Sequence, residues 1–248
     1  MLVGAGFLGR EVAHQAGAGG WRVVPVVRTE CSAQQLRVKF QESVATDATA
    51  ASFWASLNGQ WSGLVWAMAP SRGSEGGDFK LMHKEGAVRA AQWAREKRVA
   101  MVYLSSTSVY EESGGGWVDE GSALAQDERS AAMVCAEMET VRAGGSVLRC
   151  AGLYGGEREL SDRGEGPERW LNVVHREDAA RAVGVALRNQ GQIFNVAEDL
   201  PLRRGVAGGI WVEGSKRTRR SKRVSNAKLK KEGWAPIYRA GIKDSILP

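Results

Sequence analysis

The residues best placed to do chemistry stand at the very start of the chain. Gly4-Ala5-Gly6-Phe7-Leu8-Gly9 is a GxGxxG turn between the short apolar run Met1-Leu2-Val3 and an amphipathic stretch that opens at Arg10. Gly4 permits a tight turn out of a strand. Gly6 leaves the backbone open to a pyrophosphate, and Gly9 lets the next helix pack closely on a sheet. The helix N-terminus then offers free N–H groups and partial positive charge to a diphosphate. Strand, glycine turn and helix in this order predict a dinucleotide site, with Phe7 and Leu8 inside the turn.

The end of the second apolar run bears on which dinucleotide. An acidic residue about 20 positions past the glycines would bind the ribose 2′-hydroxyl of NAD. Here Val26-Val27-Arg28 ends in a guanidinium, followed by Thr29 and Glu30. Arginine can donate two hydrogen bonds to a 2′-phosphate that a carboxylate would repel. NADP(H) is therefore expected over NAD(H), with Glu30 counting against it.

Proton donors are sparse. Tyr110 and Tyr154 follow expected strand ends, where open α/β sheets place their ligands, so either is a candidate acid. His175 opens a His-Arg-Glu-Asp cluster at an expected helix start, as a substrate contact or, the reading favoured here, as a cap. His14, His83 and His175 share no ligand spacing, and Cys31, Cys135 and Cys150 contain no CxxC. Neither a metal site nor a disulfide framework is expected, and a reducing compartment is.

The elements that must position these residues alternate, as a parallel sheet with crossover helices requires. Residues 21–27, 63–69, 99–105, 146–151 and 193–197 read as strands. In 78–97, Phe79, Met82, Gly86, Ala90 and Trp93 recur at helical spacing, as do Ala131, Val134, Met138 and Val141 further on; both stripes are expected in the core. The 248 residues suit one large α/β domain. Only three residues precede Gly4, fewer than the roughly five of a central strand, so a missing leading segment is expected. A cytoplasmic location follows, or an organelle stroma or matrix if that segment carries a transit peptide. No run of about 18 apolar residues suggests a membrane span.

Several motifs in order resemble the extended short-chain dehydrogenase/reductases, the NAD-dependent epimerase/dehydratase family. They are the glycine turn, Leu104-Ser105-Ser106-Thr107-Ser108-Val109-Tyr110, Leu148-Arg149-Cys150-Ala151-Gly152-Leu153-Tyr154-Gly155, His175-Arg176-Glu177-Asp178-Ala179-Ala180 and Phe194-Asn195-Val196-Ala197. The stretch from Ser221 to Leu229, with Gly233-Trp234, is similar to an atypical branch often called YeeZ-like. The resemblance implies a doubly wound Rossmann sheet with a dinucleotide-binding part at 1–150. Residues 151–248 would complete the sheet and form a small substrate-binding cap. It also implies that Asp47 lies by the adenine, Ala67 to Ala69 by the nicotinamide-side phosphates, and Ser106 by the substrate. The family's catalytic Tyr and Lys, one helical turn apart, fall on Arg129 and Met133. An arginine stays protonated and cannot shuttle a proton, while a thioether is only a weak acceptor.

The net charge of +6 comes largely from Lys216, Arg217, Arg219, Arg220, Lys222, Arg223, Lys228, Lys230 and Lys231, read as a solvated face. The favoured reading is a protein that binds NADP(H) and acts on, or senses, a small or nucleotide-sugar substrate without the usual catalytic pair. An active oxidoreductase or epimerase using Tyr110, Tyr154 or His175 instead is the alternative. A nucleic-acid binder acting through 215–231 is the less favoured third class.

Overall fold

The computed structural model describes residues 1–69, 79–160, 169–204 and 220–240. Seven strands build the central sheet: β1 (Leu2–Val3), β2 (Pro25–Val27), β3 (Val44–Ala45), β4 (Gly63–Trp66), β5 (Ala100–Ser106), β7 (Ser146–Cys150) and β11 (Ile193–Val196). They lie in the order β11-β7-β5-β4-β1-β2-β3, and every neighbouring pair is parallel. The chain runs outward from β1 to β3 and then crosses back to β4. The switch point of the sheet, where such folds bind ligands, therefore lies between β1 and β4.

Both faces of this sheet are covered, so its strands are apolar on both sides rather than alternating. Leu2, Val65, Val102 and Leu148 face one core with α1 (Phe7–Ala18) and α6 (Arg176–Arg188). Val3, Leu64, Trp66, Met101 and Val147 face the other. That second core holds α3 (Ala51–Ser56) and α4, which is π-helical over Leu81–Ala87 and α-helical over Val88–Lys97. The stripe Phe79, Met82, Gly86, Ala90 and Trp93 is buried as its spacing predicts. At Gly86 a Cβ would stand 2.8 Å from the Trp66 ring, so glycine lets the helix sit on the sheet there.

The stripe expected on α5 (Glu128–Arg142) faces the wrong way. Ala131 and Met138 are exposed and Val134 and Val141 half-buried, while Ala132, Met133, Ala136, Glu137 and Thr140 turn inward. The cause is a carboxylate in the core: Glu137 pairs with Arg149 of β7 at 2.6 Å, both side chains almost fully buried. A charge on the buried face inverts the apolar pattern. The strands expected over 21–27 and 63–69 are shorter than predicted, Pro25–Val27 and Gly63–Trp66, and β1 pairs only two residues with each of them.

Three two-stranded pieces sit beside the sheet. β8 (Gly152–Tyr154) pairs with β10 (Val173–His175), β9 (Arg169–Leu171) with β12 (Leu202–Arg204), and β6 (Trp117–Val118) with β13 (Arg223–Val224). After α7 (Ala227–Lys231) the chain docks on α6. Trp234 Nε1 donates to the Asp178 carbonyl at 2.9 Å, and the Ile237 and Tyr238 amides donate to the Asp178 carboxylate at 3.0 Å.

Candidate functional site

The glycine turn has the shape a diphosphate needs. Gly4 sits at φ +92°, and a Cβ on it would lie 2.7 Å from the Ala67 carbonyl carbon and the Met68 nitrogen. β4 therefore leaves the sheet directly against the turn, with the Ala67 amide donating to the Val3 carbonyl at 2.7 Å and Ala69 exposed beyond. A Cβ on Gly9 would meet the Gly4 carbonyl oxygen. Among the described residues a Cβ on Gly6 would meet nothing within 4 Å, so the turn is open there. Leu8 is anchored in the core, while Phe7 is half-buried under the guanidinium of Arg158, 4.0 Å from the ring centroid.

α1, like α3 and α7, starts without a side-chain cap. Thr29 caps α2 (Glu30–Arg37), Asp127 caps α5 and His175 caps α6, whereas no side chain of the described residues caps α1 behind Gly6. Its first N–H groups are left for another acceptor.

The neighbouring strand ends carry the other cofactor-side residues. Arg28 is exposed just past β2. Glu30 is held by Arg37 across α2 and so does not pair with Arg28. Asp47, exposed past β3, accepts at one carboxylate oxygen from the Thr49 amide (2.9 Å) and hydroxyl (2.6 Å). The glycine turn, Arg28, Asp47, Ala67 and Ala69 thus follow β1, β2, β3 and β4 along one edge of the sheet.

Ser106 closes β5. Its hydroxyl oxygen accepts from the Ser108 amide at 3.1 Å, capping a short 3₁₀ turn, and it also lines two cavities. The smaller, of about 400 Å³, is lined further by Ala69, Phe79, His83, Asp127, Arg129 and Met133. Arg129 lies over the Phe79 ring at 4.7 Å, and Met133 packs with Val109 and Ala132. The two positions that would carry an acid and an ammonium are here a cation on an aromatic ring and a buried thioether. His83 was not foreseen; it lies inside the α4 stripe, where spacing marks it only as core. Its Nδ1 is 2.7 Å from the Tyr103 hydroxyl, and burial with the charge of Arg129 lowers its pKa to about 4.

The remaining sequence candidates stand elsewhere. Tyr110 is fully buried; its hydroxyl donates to Asn195 (2.6 Å), accepts from Arg149 (3.0 Å) and is pushed by burial up to about 12. Tyr154 donates to Glu198 at 2.5 Å, and burial together with that carboxylate raises its pKa as well. His175 caps α6 as favoured and is packed between Tyr154 and Tyr238, the latter stacked at 3.7 Å; burial lowers its pKa. None of the three lines the cavities around Ser106.

The larger cavity, of about 1110 Å³, lies between the β5 loop and β9, with Arg169, Trp170, Arg220 and Lys222 among its walls. The basic run is therefore not simply a solvated face. Arg220 pairs with Asp127 at 2.5 Å, holding that carboxyl well below its usual range, and Lys230 pairs with Asp199 at 2.9 Å. Arg223 lies over the rings of Trp117 and Trp170, and Lys228 over Phe194. Lys216, Arg217 and Arg219 fall outside the described residues.

No family model matches the chain, and no curated protein matches it in sequence. Solved structures do match. A UDP-N-acetylglucosamine 4-epimerase from Bacillus cereus superposes with a TM-score of 0.72 at 20% identity over 96% of this chain and 93% of that one. A dTDP-glucose 4,6-dehydratase from Bacillus anthracis, solved in complex with NAD, gives 0.74 at 15% identity over 96% and 91%. A protein from Methylobacillus flagellatus, provisionally assigned as an NAD-dependent epimerase/dehydratase, gives 0.72 at 22% identity over 96% and 92%. The chain is similar in fold to these NAD-dependent epimerase and dehydratase proteins.

Proposed function

We infer that this chain, which has the fold of the NAD-dependent epimerase/dehydratase proteins, binds a nicotinamide dinucleotide and favours NADP(H) over NAD(H). One observation carries the reading: the turn at residues 4–9 is closed to side chains at Gly4 and Gly9 and open at Gly6, in front of an uncapped helix. The B. anthracis dehydratase of the same fold was solved with NAD, which supports a nicotinamide cofactor here. The preference rests on Arg28, exposed beyond β2 and relieved of Glu30 by Arg37. Asp47 and the Ala67–Ala69 stretch then fall to the adenine and to the nicotinamide-side phosphates.

Beside that cofactor, the cavities around Ser106 hold a small or nucleotide-sugar molecule. The Ser106 hydroxyl keeps its hydrogen free to donate, since its oxygen is what the Ser108 amide uses. Proton transfer is the weak point. Arg129 stays charged, Met133 carries no transferable proton, and Tyr110, Tyr154 and His175 are committed to partners outside these cavities. The reading is therefore a cofactor-binding protein whose usual acid/base chemistry is lost or altered, working as a sensor or on a restricted reaction. The test follows NADPH oxidation and NADP⁺ reduction against nucleotide sugars and small aldehydes. Saturable cofactor binding with little or no turnover is expected; robust turnover, whether or not Ser106→Ala or Tyr154→Phe abolishes it, would contradict it.

A further inference from the structure

A turn from the second half of the chain reaches the glycine turn. Just past β8, the Gly155 amide donates to the Arg158 carbonyl at 2.9 Å and the Arg158 amide donates back to the Gly155 carbonyl at 3.1 Å, so residues 155–158 close on themselves. The closed turn is seated on the start of α6. A Cβ on Gly155 would run into the His175 ring, and one on Gly156 into the Arg176 guanidinium, which also donates to Glu157 at 3.1 Å. These contacts fix where residue 158 is presented. Its guanidinium lies over Phe7, the first residue of α1 and the neighbour of Gly6, 4.0 Å from the ring centre. A guanidinium over a ring offers its charge there but uses none of its five N–H donors. Among the described residues, no acceptor takes those donors and no carboxylate pairs with Arg158. The other arginines at this place are engaged: Arg10 donates to the Ala5 carbonyl at 3.3 Å, and Arg176, 5.6 Å from the same ring, is held by Glu157.

We propose that Arg158 binds the cofactor's diphosphate, donating to its oxygens in addition to the backbone amides of the glycine turn. The amides bring donors but no formal charge, and a doubly negative diphosphate gains most from a guanidinium whose N–H groups are unspent. Contact with the Phe7 ring is the weaker of the two interactions and holds the cation beside the opening at Gly6 until the ligand arrives. The inference rests on the dinucleotide reading and deepens it, because it completes the site with a residue from beyond the first 150. The diphosphate is common to NAD(H) and NADP(H), so Arg158 serves both, whereas Arg28 serves one.

The test titrates NADH and NADPH by fluorescence against the whole chain and against Arg158→Met, which keeps an apolar cover on Phe7 and loses the donors. Arg158 is exposed, so the variant should fold with an unchanged Tm. Both cofactors should bind it about tenfold more weakly, and Arg158→Lys should recover part of the loss. Across a sodium chloride series, affinity should fall more steeply in the wild type than in Arg158→Met, which a packing role alone would not produce. Unchanged affinity in Arg158→Met, beside a wild type that binds, overturns the proposal and leaves the dinucleotide reading standing. A loss confined to NADPH overturns it as well, since that would put Arg158 at the 2′-phosphate. A wild type that binds neither cofactor removes the reading and the proposal together.

Discussion

Gly9 approaches Gly4 so closely that a Cβ on Gly9 would lie 2.1 Å from the Gly4 carbonyl oxygen. The obstacle is backbone and cannot rotate away. Gly9→Ala must push α1 off the end of β1, and overpacking of this kind costs about 1–3 kcal/mol or more. Urea unfolding should show that loss, together with weaker binding of NADPH and NADH alike. A Gly9→Ala protein as stable as the wild type would mean that helix and strand are not in the contact described.

Arg28 should act on one cofactor only. A charge-assisted pair of hydrogen bonds to a 2′-phosphate is worth about 1.5–3 kcal/mol, so Arg28→Ala should weaken NADPH about tenfold to a hundredfold. NADH should be unchanged. Fluorescence titration of both cofactors is the check, and equal losses would remove the argument for NADP(H).

The buried pair of Glu137 and Arg149 carries a stability prediction. Arg149→Met strands a carboxylate that also accepts from the Ser105 hydroxyl at 2.5 Å, at a cost of about 3–5 kcal/mol. Glu137→Leu combined with Arg149→Met removes both charges and should recover most of the loss. Chemical denaturation of the single and double variants measures it. A double variant as unstable as Arg149→Met alone would show that the pair is not what matters there.

His83 gives the protein an acid-sensitive step. Its pKa is about 4 when folded against 6.5 when unfolded, so between these values the unfolded chain binds the extra proton. The stability due to neutral His83 is complete above pH 6.5 and is lost as pH falls towards 4, by about 3 kcal/mol. His83→Gln keeps a partner for Tyr103 and should flatten this part of the curve. A wild-type profile that runs parallel to the variant's from pH 7 to pH 4 would contradict the assignment.

The doubly wound parallel sheet was legible because its strands are apolar on both faces and its glycine turn has a fixed place in such a topology. β3 was not, since Val44–Ala45 is too short to leave a pattern. The face of α5 was misread because Glu137 is matched by Arg149, a partner no local window contains. The same limit hid Arg158 and His83. One meets Phe7 across more than a hundred positions of chain, and the other is hidden within an ordinary helical stripe.

The central claim concerns the opening at Gly6, and the most direct measurement compares NADPH affinity in the wild type and in Gly6→Ala. No described residue stands within 4 Å of the added methyl, so the variant should fold with wild-type stability. It should nonetheless bind NADPH at least about tenfold more weakly, because the methyl occupies the path of the diphosphate. Unchanged affinity in Gly6→Ala, or a wild type that ignores NADPH and NADH at millimolar concentration, would contradict the account.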